Sequence, residues 1–585
     1  MQREEKILMK KNPNIVFILT DDQGFGDLGC TGNPIVQTPN IDSFYNESLR
    51  FTNFHVGPTC APTRSGLMTG HFANSTGVWH TVGGRSLLRK DEVTLATALK
   101  NAGYETGIFG KWHLGDAYPY RPMDRGFNET VVHGGGGISQ TPDYWGNDYF
   151  DDTYFVNGEP VEFKGYCTDV FFDEAIKFIE KNQNQPFFCF IPSNAPHLPY
   201  NVPNSYSKPY MNQTNDDRAR FYGMITNIDE NFARLRAKLS ELNIEDDTIV
   251  IFMTDNGTSC GITVDASDYV IDGFNGGLRG GKNSEYDGGH RVPFFMKWTN
   301  GGFDVGKDLN QLTANVDFMP TLLDMCDVKE EKLEFHGMSL LPYMRGNEKG
   351  LDRTLVTDSQ RVAYPVKWRK SAVMTNDWRL INGRELYEIN QDREQRFDIS
   401  HKYPEVVRRL RTDYDKWWKL VSTQYDEMIP YPIGEETIHI TCHDLRNEEC
   451  ETAWNQRHIR SGLRIDGYYE VEIEKSGKYR FGLRRWPQSI DLPIAKGIIG
   501  QDIEFSKEFI QEKNWETYSG GEALQIDYAQ IQIQGIIETK KVEEDDREAE
   551  FVLELEKGLT RLSAKFIGKD KEGVTAAYFV EISKA

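Results

Sequence analysis

Five short stretches of this chain hold residues able to bind a metal, carry positive charge or move a proton: Asp21-Asp22, Cys60-Ala61-Pro62-Thr63-Arg64, Lys111 with His113, His197, and Asp255-Asn256. Three carboxylates and an amide oxygen make a hard, oxygen-only ligand set that suits Ca²⁺ or Mg²⁺ and argues against zinc or copper. The histidines offer acid–base groups near neutral pH. Lys111, Arg64 and Lys282, the last inside Arg279-Gly280-Gly281-Lys282-Asn283-Ser284-Glu285-Tyr286-Asp287-Gly288-Gly289-His290-Arg291, add fixed positive charge. The stretch from Cys60 to Arg64 reads as a helix start, because Pro62 suits a first turn where its missing N–H costs nothing. Such a start presents free N–H groups and a positive dipole end to a sulfate or phosphate, and Arg64 adds a planar fork of donors. Taken alone, Cys60 reads equally well as a buried structural cysteine, Asp21-Asp22 as a loop with a helix cap, and Lys282 as a solvated charge. Taken together, metal, cations and a nucleophile at a helix N-terminus are what transfer of a tetrahedral oxyanion requires.

The elements that must position these groups follow from the pattern around them. Asn14 to Leu19 and Thr248 to Thr254 are unbroken β-rich runs, as expected of strands buried on both faces, and each ends in an acidic pair or an Asp-Asn pair. Residues 104–109 and 186–191 are further strands, delivering Gly110-Lys111-Trp112-His113 and Asn194-Ala195-Pro196-His197. Between them lie a helix running into a short strand at 40–54 (with Asn40 as N-cap) and helical patterns at 94–102 and 170–180. Another carries Phe221, Ile225, Ile228, Phe232, Leu235 and Leu239 on one face, with Asp229 as a buttress. Alternating β and α segments predict an α/β fold, a doubly wound, mixed but mostly parallel sheet whose ligand groups gather at the carboxyl ends of the strands. Residues 133–158, rich in Gly, Asp and aromatics without period, read as a long surface loop.

Texture divides the rest. Domains are expected at 13–350 (catalytic), 351–430 (a small antiparallel α+β subdomain with a charged helix at 406–420) and 431–585 (an accessory β-sandwich). In the last, strands are expected at 468–475, 478–484, 525–537, 550–555, 560–567 and 574–582. A net charge of −22 over 585 residues argues against nucleic acid as a partner, and no run approaches the ~20 apolar residues of a membrane span. The eight cysteines show no metal-binding spacing; Cys442 and Cys450 could close a short loop. Met9-Lys10-Lys11 before Ile15 to Leu19 imitates a signal peptide, but the run is short, lacks a cleavage site and ends in Asp21-Asp22. The chain as written is therefore expected in the cytoplasm, or in the periplasm or outside the cell if a signal was removed.

With the motifs Asp21-Asp22-Gln23-Gly24, Cys60-Ala61-Pro62-Thr63-Arg64 with Gly70, Gly110-Lys111-Trp112-His113-Leu114-Gly115, Pro196-His197, Thr254-Asp255-Asn256-Gly257 and Gly281-Lys282 to Arg291 in this order, the sequence resembles the type I formylglycine-dependent sulfatases of the alkaline phosphatase superfamily. The resemblance covers roughly residues 13–420 and implies an alkaline phosphatase-like fold. It implies that Cys60 is oxidised by a formylglycine-generating or anaerobic sulfatase-maturating enzyme to Cα-formylglycine (3-oxoalanine), whose hydrate is the nucleophile. One Ca²⁺ would be held by Asp21, Asp22, Asp255, Asn256 and the modified residue 60. By the same resemblance, Arg64 and the metal activate the hydroxyl, and His197 and Lys282 bind sulfate and protonate the leaving oxygen. Lys111 and His113 stabilise residue 60, and His113 takes the remaining hydroxyl proton, which expels sulfate and restores the aldehyde. Every aligned position is filled.

Substrate choice must come from outside the motifs. His80, Arg85, His133, Asp143, Tyr144, Trp145, Asn147 and residues 265–275 combine aromatic, acidic and amide groups that suit a sugar, and equally suit loop-tip solvation. The accessory domain, with Arg484-Arg485-Trp486-Pro487 as glycan contact or packing, points by analogy of fold to carbohydrate. The expected activity is hydrolysis of sulfate esters on a sulfated poly- or oligosaccharide, an algal polysaccharide such as ulvan being one such substrate. The alternatives are a phosphonate monoester or phosphodiester hydrolase of the same superfamily, and an inactive glycan-binding homologue.

Overall fold

The computed structural model describes residues 12–329, 332–347, 350–498, 520–569 and 572–585; Met9-Lys10-Lys11 lie outside the described residues. The strand Asn14–Thr20 is fully buried and pairs in parallel with Phe187–Pro192 on one side and Thr248–Thr254 on the other. Glu105–Lys111 and Glu129–His133 extend the parallel part, and antiparallel strands close both edges of a ten-stranded sheet. The parallel centre is apolar on both faces because helices cover both. Cys167–Asn182 and Asp216–Glu241 pack on one face, while Cys60–Thr69, Leu95–Asn101 and Phe318–Met325 join the core on the other.

Beyond this sheet, four antiparallel strands run Leu355–Asp358, Ser371–Met374, Trp378–Ile381 and Glu385–Glu388, with the helix Pro404–Val421 packed on one face through Val407, Leu410, Tyr414 and Trp417. The C-terminal region forms two packed β-sheets around Tyr469, Phe481, Ile531, Phe551 and Phe566. This same core takes in Leu87, Ala117, Tyr120 and Trp145 from connections of the N-terminal region, so the sandwich is packed against that region. Among the described residues no helix is long and apolar enough to cross a membrane.

Several expectations are corrected. The helix and short strand expected over 40–54 are Pro39–Glu47 and Leu49–Phe51, but the N-cap is Thr38; Asn40 lies inside the helix, and the carboxylate of Asp229 receives the N–H groups of Asn40 and Ile41 at 2.7–3.2 Å. The strand expected at 525–537 is a hairpin, Tyr528–Ile533 and Ile536–Lys541, because Gly535 takes φ +79° at its turn. The one expected at 574–582 is two strands, Gly573–Ala576 and Phe579–Lys584, that belong to different sheets. Residues 133–158 are not a surface loop. Most of them are buried, with Thr141 N donating to Trp454 O at 2.9 Å and Gln140 bridging to Asn455. Cys442 and Cys450 are both free thiols.

Candidate active site

Parallel strands carry their carboxyl ends to one edge of the sheet, and there the acidic pairs meet. Asp255 N donates to Thr20 O at 3.0 Å and Asp21 N donates to Ala195 O at 3.2 Å, which locks the three strand ends together. Asp22 holds φ +65° and His113 φ +61°, left-handed conformations that non-glycine residues adopt at a cost. Helix Cys60–Thr69 points its first turn at the same place, and all ten of its residues are buried.

The side chains converge. The ligand atoms of Asp21, Cys60 and Asp255 lie within 4.8 Å of one another. Asp255 accepts from Arg64 Nη2 at 2.8 Å and from Asp22 N at 3.0 Å, and Arg64 Nη1 donates to Lys111 O at 2.9 Å. Lys111 Nζ donates to Asp21, Lys282 Nζ donates to Asp22 at 2.6 Å, and Asn256 Nδ2 donates to the other Asp22 oxygen at 3.0 Å. His197 Nε2 stands 3.6 Å from Asp22. The structure thus brings together Asp21, Asp22, Cys60, Arg64, Lys111, His197, Asp255, Asn256 and Lys282.

Charge is unbalanced inside this cluster. Burial alone would push the Asp22 carboxyl up, but Lys282, His197 and Lys111 outweigh it and hold it below the usual carboxylate range. Asp255 is pushed up, by burial first and by the charge of Asp21 second, despite Arg64. Asp21 Oδ1 and Asn256 Oδ1 are buried with no hydrogen-bond partner. Oxygen acceptors without donors, beside carboxylates that still repel, fit a hard cation. Burial also pushes the Cys60 thiol up, so an unmodified cysteine here is a neutral S–H and a poor nucleophile.

The two histidines are fixed in complementary tautomers. His113 Nε2 lies 3.0 Å from Thr81 O, a carbonyl that can only accept, so Nε2 carries the proton and the buried Nδ1 is a free base without a partner. His197 Nδ1 donates to Leu198 O at 2.6 Å, which leaves Nε2 facing Asp22. Burial, with Lys282 and Lys111 adding to it, takes the His197 pKa down to about 3.

Of the loop candidates for substrate, His133 pairs in register with Lys111, and its Nε2 is buried and unpartnered. The side chains of Asp143, Trp145 and Asn147 have partners within the protein. Asp143 accepts from Gly134 N and Ser139 N at 3.1 and 2.9 Å, and Asn147 bonds both Asp143 and the backbone of Thr153. Trp145 packs edge-on to Trp486 at 5.6 Å, beneath the Arg460 guanidinium. Tyr144 is half-buried, its carbonyl taken by Gln456. Arg485 and Trp486 are buried packing residues, and residues 265–275 supply the turn and second strand of the hairpin Ile262–Val264 and Val270–Gly273, which props the Lys282 loop through Gly280 N and Asp268 O at 2.9 Å.

Two features escape sequence reasoning. A Cβ on Gly136 would sit 2.3 Å from His113 Cε1, and one on Gly137 would sit 3.3 Å from His197. The Gly134–Gly137 run therefore exists to let backbone lie against both imidazoles; four successive glycines were the available signal. The second is a buried group of His55, Asp287 and His290, whose spacing resembles a metal site. Arg379 fills it, bonding Asp287 at 2.8 Å and His55 at 3.2 Å, which makes it an internal ion pair.

Residues 13–328 match the family model described as Sulfatase, and residues 281–417 match N-sulphoglucosamine sulphohydrolase, C-terminal. The chain is 29% identical over 399 residues to the uncharacterized sulfatase YdeN of Escherichia coli (strain K12), covering 58% of this chain and 67% of that one. It is 30% identical over 357 residues to human N-acetylgalactosamine-6-sulfatase, covering 56% of this chain and 65% of that one. The matches thus span about two thirds of those proteins' own length. The crystal structure of Ps i-CgsB in complex with k-i-k-neocarrahexaose superposes with a TM-score of 0.62 at 26% identity, over 70% of this chain and 98% of that one.

Proposed function

We infer the function from one premise: this chain belongs to the sulfatase family, whose model matches more than half of it. Its activity is hydrolysis of sulfate esters on a sulfated carbohydrate. The observation that carries this reading is the convergence, at one edge of the sheet, of an oxygen-only ligand set, four cationic or imidazole side chains and a buried residue 60 at a helix N-terminus. Relatives named for N-acetylgalactosamine 6-sulfate and a neighbour holding an oligosaccharide support the sugar as substrate class.

Asp21, Asp22, Asp255 and Asn256 would hold one Ca²⁺, which when bound supplies Lewis-acid charge to the ester oxygens and the nucleophile. Residue 60, oxidised to formylglycine and hydrated, supplies a hydroxyl where the native thiol is neutral and inert. Arg64 orients that hydroxyl from the next turn of the same helix. Lys282 and His197 both face Asp22 in the free site; an entering sulfate ester takes over the Lys282 donor and lies against His197 Nε2. The anionic ester raises the His197 pKa from its low value, so that Nε2 can protonate the leaving alcohol. His113, its Nε2–H held by Thr81, uses Nδ1 as the base that takes the last hydroxyl proton and releases sulfate.

The test is sulfate release, read by ion chromatography, from 6-sulfated N-acetylgalactosamine and from 4-nitrophenyl sulfate, using protein produced together with a maturating enzyme. Mass spectrometry of the peptide carrying residue 60 reports whether the thiol has become an aldehyde. Release from the sugar, abolished by His197→Ala and Asp255→Ala, is the expected result. Fully converted protein that releases no sulfate, or that cleaves a 4-nitrophenyl phosphodiester faster, overturns the reading.

A further inference from the structure

Positive charge gathers at one more place, against a net charge of −22 for the whole chain. Residues 359–370 connect the strands Leu355–Asp358 and Ser371–Met374, and this connection is fastened to the catalytic centre on two sides. On one side Ser359 Oγ donates to Asn283 Oδ1 and Lys370 Nζ donates to Asn283 O at 3.1 Å; Asn283 is the neighbour of Lys282. On the other side Arg361 N donates to Trp79 O at 3.2 Å, next to His80, and Thr81 is the residue whose carbonyl fixes His113. The connection therefore spans from the sulfate-binding lysine to the base histidine, and it carries Arg361 and Arg369 across that span.

Three donors here lack an acceptor among the described residues. His80 is 6% exposed, and its Nδ1 accepts from Thr81 N at 2.6 Å and Val82 N at 3.3 Å. The ring proton therefore sits on Nε2, for which the described residues supply no acceptor. Burial first, then the charges of Arg361, His443 and Arg369, keep this ring neutral, so it remains a single oriented donor. Arg361 is exposed, and among the described residues its guanidinium meets no carboxylate within ion-pair distance. Arg85 is 5% exposed and lies against Trp79 and Tyr364, 4.5 and 5.5 Å from their ring centroids. Its Nε donates to Ala363 O at 3.1 Å, while Nη1 is buried without a partner. Buried or clustered cations without counter-charges are costly, and a protein this acidic had carboxylates to spare for them.

We propose that Arg361 and His80, with Arg369 on the same connection (its Nε held by Gln360 O at 2.6 Å) and Arg85 stacked on the neighbouring Trp79, form a second anion subsite for a carboxylate or an additional sulfate on the same glycan whose ester is cleaved. The proposal rests on the sulfatase reading. Arg361 supplies the principal charge, and His80 Nε2–H supplies the directed hydrogen bond that fixes the group's position. The substrate class that follows is a glycan with two or more negative groups on neighbouring positions or residues; a neutral sugar with one isolated sulfate leaves the subsite unfilled.

The experiment compares three probes: N-acetylgalactosamine 6-sulfate, its 4,6-disulfate, and the 6-sulfate joined to a glucuronate. Calorimetry with the full chain carrying Cys60→Ala, in calcium buffer, gives affinities without turnover, and the same probes with the converted enzyme give sulfate release. At least one doubly charged probe is expected to bind about tenfold more tightly than the monosulfate, and Arg361→Gln is expected to erase that preference while Arg361→Lys restores part of it. Preference for the disulfate identifies the added group as sulfate, and preference for the glucuronide identifies it as carboxylate. His80→Gln should narrow the same ratio. Equal affinity for all three probes, no measurable binding of any, or a preference that survives Arg361→Gln overturns the subsite. Sulfate release with no charge preference overturns the subsite and leaves the sulfatase reading intact; tight, Arg361-dependent binding without sulfate release does the reverse.

Discussion

His113 owes its position to an atom that is missing. Its imidazole rests on the backbone of Gly136, where a Cβ would stand 2.4 Å from Nε2, the nitrogen held by Thr81. Gly136→Ala should push the ring off that bond and free the tautomer, lowering kcat by tenfold or more, about what a displaced catalytic group costs, while the melting temperature moves little. Sulfate release and thermal unfolding on the same preparation check both halves. The carboxylate cluster makes a second prediction: if it holds Ca²⁺, the ion at about 100 times its dissociation constant adds about 2.7 kcal/mol of stability. Thermal shift with and without chelator reads this, and Asn256→Ala should shrink the shift. The convergence of Asp21, Asp22, Asp255 and Asn256 was legible in the sequence because each ends an apolar run that can only be a buried strand. Gly136 was not, since a glycine's role lies in which neighbour comes close, and His113 is distant in the chain.

Between elements, His71 acts as a clamp. It follows the helix Cys60–Thr69, with Nδ1 2.7 Å from Glu92 and Nε2 2.7 Å from Glu334 O, and two acceptors favour the doubly protonated ring. Burial lowers its pKa, but the Glu92 hydrogen bond and charge outweigh that, and the folded value lies above the ordinary 6.5. The folded state therefore binds this proton more tightly than the unfolded chain. Its contribution is complete below about pH 6.5 and is lost as pH rises through the raised folded value. His71→Gln should accordingly lower the melting temperature more at pH 5.5 than at pH 8.5, and a gap that widens at alkaline pH would refute the assignment. Elements were read from sequence best where one period runs unbroken, as in Thr248–Thr254 and Asp216–Glu241. They were misread where a single glycine inside a continuous β-rich run marks a tight two-residue turn, as at Gln534-Gly535, or where a carboxylate 189 residues away, Asp229, does the work of a cap.

Across the whole molecule, the C-terminal sandwich is part of the catalytic architecture. Trp486 meets Trp145, Gln456 bonds the carbonyls of Gln140, Asp143 and Tyr144, and His443 stands 6.3 Å from the His113 ring. Trp486→Ala removes a ring that is 1% exposed and should cost about 3–5 kcal/mol of stability. Because residues 133–158 lean on it, proteolytic cleavage within them and loss of turnover are expected together; intact activity with a loosened sandwich would separate the two regions. This is why that stretch read as surface from sequence alone: its composition is that of a loop, and its cover arrives some three hundred residues later. An aromatic-rich segment without period carries no sign of which distant sheet will bury it.

Cys60 ends 2% exposed, in a helix with no exposed residue, behind strands that are still to be made when it leaves the ribosome. An enzyme that must grasp this residue and change its chemistry has no access once the sheet has closed. The last parallel strand beside it, Thr248–Thr254, follows about 190 residues later, which at ordinary synthesis rates leaves about 10–40 s. If residue 60 is converted to formylglycine, its maturation is a race against folding, and a host that translates quickly or supplies little of the modifying enzyme would accumulate well-folded protein locked in its thiol form.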